Sequence, residues 1–193
     1  MKKDLGSQPA LYPMPVVEVA AYDENGTVSV MTVAWAQICD MDKIALFVDD
    51  EHKTSQNIRK TRAFTVSLAD RAHMVEADYF GLATGNKTPD KFERSGCHAV
   101  MSAHVNAPII EEFPVCLECE LIEIVDTENV FALIGRIVNV SAEESLLNEK
   151  GKVDPEKLDV LIFDQFSGSY FVPGEKVGKA WNAGAPLLKK AKG

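Results

Sequence analysis

The sequence predicts a mainly β protein, an antiparallel barrel with short inserted helices. β-rich runs follow one another along the chain more often than they alternate with helical runs, which favours this barrel over a doubly wound parallel sheet. Turn signals such as Asp23-Glu-Asn-Gly26 separate neighbouring runs. The 193 residues suffice for one well-filled core. We therefore expect a single domain over residues 1–193, with an N-terminal arm at 1–13 and a C-terminal tail at 174–193.

The first part of the chain predicts four strands and one helix. β-branched and other apolar residues dominate the expected strands, at residues 16–22, 27–36, 43–48 and 64–68. The first two strands flank the Asp-Glu-Asn-Gly turn and predict a hairpin. Before the fourth strand, the hydroxyls of Thr54 and Ser55 are followed by a basic segment at 59–62, a pattern typical of a short helix.

The second part of the chain predicts further short helices and two long strands. Helical segments are expected at residues 73–82 and 90–94, with one more helical turn at 143–148. The strands are expected at 115–125, 130–140 and 158–163, which brings the total to about seven. Gly135, inside the second long strand, predicts a bulge or a close approach of another group.

Charge and hydropathy exclude several classes of protein. The formal net charge is −9, which disfavours a general nucleic-acid binder because phosphate contacts need a basic face. A small phosphate-bearing ligand needs only a local basic pocket. The longest run without Lys, Arg, Asp or Glu, residues 95–110, is too short and polar for a membrane span of about 20 apolar residues. No apolar signal region follows Lys2 and Lys3, so we expect a cytoplasmic protein without membrane partners.

The cysteines and histidines do not form a metal motif. Cys116 and Cys119 lie three apart in an expected strand, where they point to opposite faces. Free thiols are therefore favoured over a zinc or redox pair. His98 and His104 lack the spacing of a zinc helix, so we expect no metal. Dinucleotide, phosphate-loop and nucleophile-elbow motifs are also absent, and we expect a cofactor rather than a catalytic side chain to carry any redox chemistry.

Two positions could hold an anion. Lys53-Thr54-Ser55 stands at the expected start of a helix, where free backbone N–H groups and the helix dipole favour negative charge. The alternative at this position is a plain helix cap. Lys91, in Pro89-Asp-Lys-Phe92, is a surface lysine when considered alone.

A third feature could hold a planar ligand. Met31-Thr-Val-Ala-Trp35-Ala36 is an expected strand end with small residues beside a large flat ring. Backbone N–H and C=O groups there could bind the edge of a planar ligand, with Trp35 as a wall. The alternative is a tryptophan of the core.

Taken together, these motifs resemble those of the flavin reductase-like, FMN-binding split-barrel family, and within it the flavoredoxin-type proteins. The matching segments, in order, are Tyr12-Pro-Met-Pro-Val-Val17, the Asp23–Gly26 turn, Met31-Thr-Val-Ala-Trp35, His52-Lys-Thr-Ser-Gln-Asn-Ile58, Asp90-Lys-Phe92 and Leu133-Ile-Gly-Arg-Ile137. The resemblance covers nearly the whole chain. It departs at Ser29, where many relatives have Asn, and at Asn129, near which some relatives have His.

The resemblance implies an antiparallel FMN-binding split β-barrel with noncovalent FMN near the interface of a homodimer. It implies that phosphate is received by Thr54 and Ser55, with Lys53 close by and Lys91 adding positive charge. Phe163 or Phe166 would pack on the cofactor. The implied ring contacts are Thr32, Val33, Ala34, Trp35 and Ala36, and Ser29 and Met31 are further implied cofactor-binding residues.

The activity implied is an oxidoreductase in which hydride from NADH or NADPH reaches the flavin, and electrons leave to free flavin or to a protein acceptor. No catalytic side chain is required, because flavin N5 carries the chemistry. Two alternatives stay open. One is an FMN-binding electron carrier that exchanges electrons with a protein donor or acceptor and has no NAD(P)H activity. The other is a non-flavin module, binding haem for example, on the same barrel.

Overall fold

A curled, seven-stranded antiparallel sheet forms the centre of the protein. The computed structural model describes residues 1–189. The strands are β1 Met14–Pro15, β2 Val17–Tyr22, β3 Val28–Val33, β4 Ala36–Asp40, β5 Lys43–Phe47, β6 Ala63–Leu68, β7 Ala99–Met101, β8 Pro108–Ile110, β9 Val115–Asp126, β10 Phe131–Ala142, β11 Ile162–Asp164 and β12 Ser169–Phe171. The large sheet has the order β3-β2-β6-β9-β10-β5-β4, beside a three-stranded sheet β1-β11-β12 and the hairpin β7-β8.

The short helices α1 Lys53–Thr61, α2 Met74–Leu82 and α3 Lys91–Ser95 lie between the strands, as predicted, with a 3-10 turn at Glu144–Leu146. The helix α4 Ala185–Lys189 lies in the expected C-terminal tail and was not predicted. The mainly β class with short inserted helices is therefore confirmed. Residues 1–13 and 173–179 carry no helix or strand, and the last four residues of the expected tail, 190–193, lie outside the described residues. No helix within residues 1–189 is long and apolar enough to cross a membrane.

The large sheet curls because its two edge strands are consecutive in the chain. β3 ends at Val33 and β4 begins at Ala36, so only Ala34 and Trp35 connect one edge of the sheet to the other. The single strand expected at 27–36 was therefore wrong at its end, where the chain bends and enters β4. The short strands β1, β7 and β8 were also missed, because two or three residues carry too little alternation to be recognised.

The two faces of the sheet belong to two different cores. Alternate β2 residues Val17, Val19 and Ala21 point into the barrel, where they pack with Phe64 and Leu133. Val16 and Ala20 point to the outer face, which α2 and neighbouring segments cover. The side chains of Glu18 and Thr32 also belong to this outer face, because Glu18 alternates with Val17 and pairs with Thr32 across β2 and β3.

Gly135 allows β10 to approach the barrel core. A Cβ atom built at Gly135 would lie 2.3 Å from Cζ of the Phe64 ring, a distance no real contact tolerates. The β9–β10 register also shifts between Ile134 and Gly135. Both alternatives predicted for this glycine, the bulge and the close approach, are confirmed.

Candidate ligand-binding site

A cavity of about 300 Å³ opens between the edge strand β3, the first turns of α1 and the loop that precedes α3. β3 has a neighbour on one side only, so its other backbone edge is available at the cavity. The residues that line it are Asp23, Thr27, Val28, Ser29, Val30, Lys53, Asn57, Gly85, Asn86, Thr88, Pro89, Lys91 and Phe92. The cavity thus brings together three residues predicted from separate segments, namely Ser29, Lys53 and Lys91.

The start of α1 presents unsatisfied donors to this region. His52 occupies the N-cap position and its side chain makes no capping hydrogen bond. The N–H groups of the first turn therefore keep the partial positive charge of the helix end. Thr54 lies inside the helix and its hydroxyl contacts the Ser29 hydroxyl at 2.9 Å. The alternative that Thr54 is a plain cap was therefore wrong.

Asn57 is a candidate site residue that the sequence analysis missed. It lines the cavity and is almost fully buried, yet its Nδ2 donates to no partner within the described residues. A buried amide donor without an acceptor is costly, and a ligand oxygen in the cavity would satisfy it. The signal was present in the sequence, because Asn57 follows Lys53 by four residues and so shares its helix face.

Lys91 is buried at the inner end of the cavity rather than on the surface. Its Nζ donates to the carbonyl oxygens of Phe80 at 2.8 Å and Ala83 at 2.7 Å. These carbonyls belong to the end of α2, where the helix dipole is negative and favours a cation. Burial lowers the pKa of Lys91. The ammonium group is thus held in place by α2 and contributes positive charge to the cavity.

A smaller adjoining cavity of about 130 Å³ brings in more of the predicted residues. Met31, Thr32 and Thr54 line it together with Lys53 and Lys91, which also line the larger cavity. Ser55, next to Thr54, is fully buried and its Oγ has no partner within the described residues. Six of the predicted positions, Ser29, Met31, Thr32, Lys53, Thr54 and Lys91, therefore lie around one continuous region.

Trp35 lies beyond this region, at the bend between β3 and β4. Its side chain is 53% exposed, so the alternative that Trp35 is a core residue was wrong. Together with Ala34 and Ala36 it lines an apolar cavity of about 390 Å³ under the N-terminal arm. On another side it lines an open groove of about 690 Å³ that also includes His52. His52 links this groove to the smaller cavity at Lys53.

The remaining predicted residues do not line the cavities at α1. Val33 is buried inside the barrel. Phe163 is partly buried in the outer core, where its ring lies 6.1 Å from that of Tyr170. Phe166 is 61% exposed. Their roles as cofactor contacts, like those of the other site residues, stay predictions.

The four cysteines are free thiols, of which only Cys39 is exposed. Burial raises the pKa of Cys97 to about 11 and that of Cys116 to about 11, so both remain in the unreactive thiol form near neutral pH. Within residues 1–189, no three His, Cys, Asp or Glu side chains converge as a set of metal ligands.

Comparison with known proteins identifies the family. The model of the flavin reductase-like domain matches residues 10–172. The structure is similar to flavoredoxin of Desulfovibrio vulgaris (Miyazaki F), with a TM-score of 0.90 and 36% identity over 95% of this chain and 100% of that one. It is also similar to flavoredoxin from Methanosarcina acetivorans, with a TM-score of 0.85 and 25% identity over 97% and 98% of the two chains.

A third similarity bears on the fold alone. A putative flavin reductase with a split barrel domain from Shewanella frigidimarina has a TM-score of 0.76 at 18% identity, over 86% of this chain and 84% of that one. The predicted split barrel is therefore confirmed. Since the family model spans most of the sequence and the structural similarity spans nearly all of it, this chain belongs to the flavin reductase-like domain family.

Proposed function

We propose that the protein binds FMN without a covalent bond and transfers hydride or electrons through it. The observation that carries this proposal is the cavity at α1, where an uncapped helix start, two lysines and an unpartnered amide donor surround one space. These groups fit a phosphate, which offers several acceptor oxygens and a negative charge. The match to the flavin reductase-like domain supports a flavin as the part of the ligand that carries this phosphate.

The residues of this chain would divide the work of holding FMN. Lys53, Asn57 and the N–H groups of the first α1 turn would bind the phosphate, with the Ser29–Thr54 hydroxyl pair beside them. Lys91, held by α2, would supply positive charge from the inner side. The free backbone edge of β3 would position the ring system. Bound FMN supplies hydride and electron transfer, and the protein orients it and excludes water.

For the overall reaction we propose NADH or NADPH as the hydride donor and free flavin or a protein as the acceptor. An FMN-binding electron carrier without NAD(P)H activity is the second candidate. The similarity to flavoredoxin over 95% of this chain favours it. Oxidation of NADH and of NADPH by the purified protein, with and without added FMN and under anaerobic conditions, distinguishes the two. Nucleotide oxidation supports the reductase, whereas FMN binding without oxidation supports the carrier.

The FMN proposal is tested with two lysines of one helix. Lys53 lines the cavity, whereas Lys60, at the other end of α1, pairs with Glu24 at the surface. Lys53→Ala should weaken FMN in a salt-dependent way and leave riboflavin, which has no phosphate, nearly unaffected. Lys60→Ala should change neither affinity. Quenching of flavin fluorescence measures all of these affinities. Failure of the unmodified protein to bind FMN would refute the proposal.

We further propose a homodimer whose interface contributes to the flavin site. Apolar side chains remain exposed on the N-terminal arm and on the strands next to it, including Leu11, Trp35, Ile38 and Phe47. Exposed apolar surface of this kind is typical of protein–protein contacts. Trp35 connects this surface to the groove at His52, so a second copy seated there would also cover part of the site.

A further inference from the structure

Glu18 is a fully buried carboxyl group that the proposed function does not use. It lies on β2 and faces the outer core, with no solvent exposure. Its Oε2 is 3.0 Å from Thr32 Oγ1, and its Oε1 has no hydrogen-bond partner within the described residues. No cation of the described residues forms an ion pair with it within 4.0 Å. A charge buried in this way would be largely uncompensated, which strongly favours the neutral acid.

The hydrogen bonds of Thr32 lead to the same conclusion independently. Thr32 Oγ1 is within hydrogen-bond distance of both Glu18 Oε2 and the carbonyl oxygen of Ala77. A hydroxyl has one hydrogen, so Thr32 donates either to Glu18 or to Ala77, and the carbonyl oxygen of Ala77, which only accepts, is the nearer of the two at 2.5 Å. When Thr32 donates to Ala77, Glu18 donates to Thr32, which it can do only as the protonated acid. Burial raises the pKa of Glu18 to about 8, an effect larger than the lowering by the hydrogen bond with Thr32 and by the charge of Lys91.

Glu18 is connected to the candidate site through two residues. Thr32, its hydrogen-bond partner, lines the smaller cavity together with Lys91. Lys91 also acts on Glu18 directly through its charge, which lowers the pKa of the carboxyl and opposes the larger effect of burial. Ionised Glu18 would in turn neutralise part of the positive charge that Lys91 offers to an anionic ligand.

Tyr170 and Cys116, two titratable groups near Glu18, stay neutral through the relevant pH range. Tyr170 on β12 donates to Asp78 of α2, and burial raises the pKa of Tyr170 to about 12. On β6, the register partner of Glu18 is Ser67, whose own partner on β9 is Cys116. Burial raises the pKa of Cys116 to about 11. Lys91 is thus the cation that acts on Glu18. Burial lowers the pKa of Lys91 to about 8, so Lys91 and Glu18 titrate in the same pH range, while the carbonyls at the end of α2 favour the charged form of Lys91.

We propose that Glu18 is an internal acid that keeps its proton when an anion occupies the cavity, so that proton retention at Glu18 and FMN binding beside Lys91 are coupled. Glu18 is a positioning residue in this scheme, since it acts through Thr32 and Lys91 rather than on the ligand. The inference rests on the proposed FMN site for the identity of its ligand, whereas the protonation of Glu18 does not depend on that site.

The ligand-free protein tests the protonation. A raised pKa in the folded state means that the unfolded chain releases the Glu18 proton near pH 4.5 while the folded protein keeps it to about pH 8. The wild type therefore loses stability between these values. The Tm of Glu18→Gln relative to wild type should rise by about 5 °C or more from pH 5 to pH 8. A pH-independent difference would overturn the inference.

The affinity for FMN tests the coupling. Between pH 7 and pH 9, where a phosphate is already doubly charged, wild-type affinity should fall by up to about tenfold per pH unit above pH 8. Glu18→Gln should reduce this fall to the part that deprotonation of Lys91 contributes, because burial lowers the pKa of Lys91 to about 8. Glu118→Gln is the matched control, because Glu118 is equally buried but accepts from Ser102 and Asn139. The affinity of Glu118→Gln for FMN should change with pH as that of the wild type does. The affinity of the wild type for riboflavin should change much less with pH.

Each result of this experiment is decisive. A Glu18→Gln variant that binds FMN with the wild-type pH slope would overturn the coupling and assign the titration to Lys91. Failure of all variants to bind FMN would refute the proposed function, while the Tm series would still decide whether Glu18 is protonated.

If Glu18→Gln does not fold, the infrared spectrum of the wild type replaces the comparison of the two proteins. A protonated carboxyl band at pH 7 that disappears above pH 9 supports the inference, and its absence at pH 7 overturns it.

Discussion

Thr54 provides the sharpest test of phosphate recognition at the scale of single residues. Its hydroxyl is buried beside Ser29 at the start of α1. Thr54→Ala should weaken FMN by roughly 1.5–3 kcal/mol, the value of a hydrogen bond to a charged group. Riboflavin should lose little affinity, and Thr54→Ser, which keeps the hydroxyl, should restore most of the FMN affinity. Titration with both flavins measures this. Equal weakening of FMN and riboflavin would assign Thr54 a purely structural role.

The individual site residues show what sequence can and cannot predict. Lys53 and Thr54 were predicted because helix-start chemistry is local and can be recognised within a few residues. The burial of Lys91 could not be predicted from the residues next to it in the sequence. It depends on hydrogen bonds to carbonyl oxygens at the end of α2, which lies earlier in the chain. The spacing of Asn57 from Lys53 places both on one helix face, but the lack of a partner for the Asn57 amide can be recognised only when its surroundings are known.

At the scale of elements, Gly135 sets the distance between β10 and the barrel core. Gly135→Ala would place a methyl group against the Phe64 ring, and overpacking of this kind costs about 1–3 kcal/mol. Chemical denaturation should show this loss in the free energy of unfolding. Gly174→Ala is the control, because a Cβ there has no neighbour within 4 Å. Equal stability of Gly135→Ala and wild type would mean that Phe64 can move aside without cost.

The elements themselves were predictable to the extent that their patterns are local. The long strands β9 and β10 and the helix α1 followed from periodicity, turn residues and charge at the helix end. The break at Ala34 and Trp35 did not, since both residues continue an apolar run and only closure of the sheet requires a bend there. The strands β7 and β8 are short and are stabilised by packing over the outer face, which no local signal reveals.

At the scale of the whole molecule, we predict a homodimer that shares its flavin site. Obligate interfaces commonly bury about 2,000 Å² or more, and we expect the exposed apolar residues of the arm, of the bend at Trp35 and of β4 and β5 to supply the contact. Dilution should release FMN and lower the Tm together, because both depend on association. Sedimentation at micromolar concentration, followed by flavin fluorescence on dilution, measures this. A stable monomer with stoichiometric FMN would refute the shared site and leave FMN binding intact.

The order of the strands has a consequence for how the protein is made. β5 pairs with β10, and the register joins Phe47 to Ala132, which lie far apart in the chain. During synthesis β2, β3, β4 and β5 leave the ribosome long before the strand that closes the barrel. The free edge of β5 therefore stays open to other nascent chains until residues up to Ala142 have emerged. Closure by such a distant pairing is slow, so the time of greatest risk of aggregation falls before β10 is available.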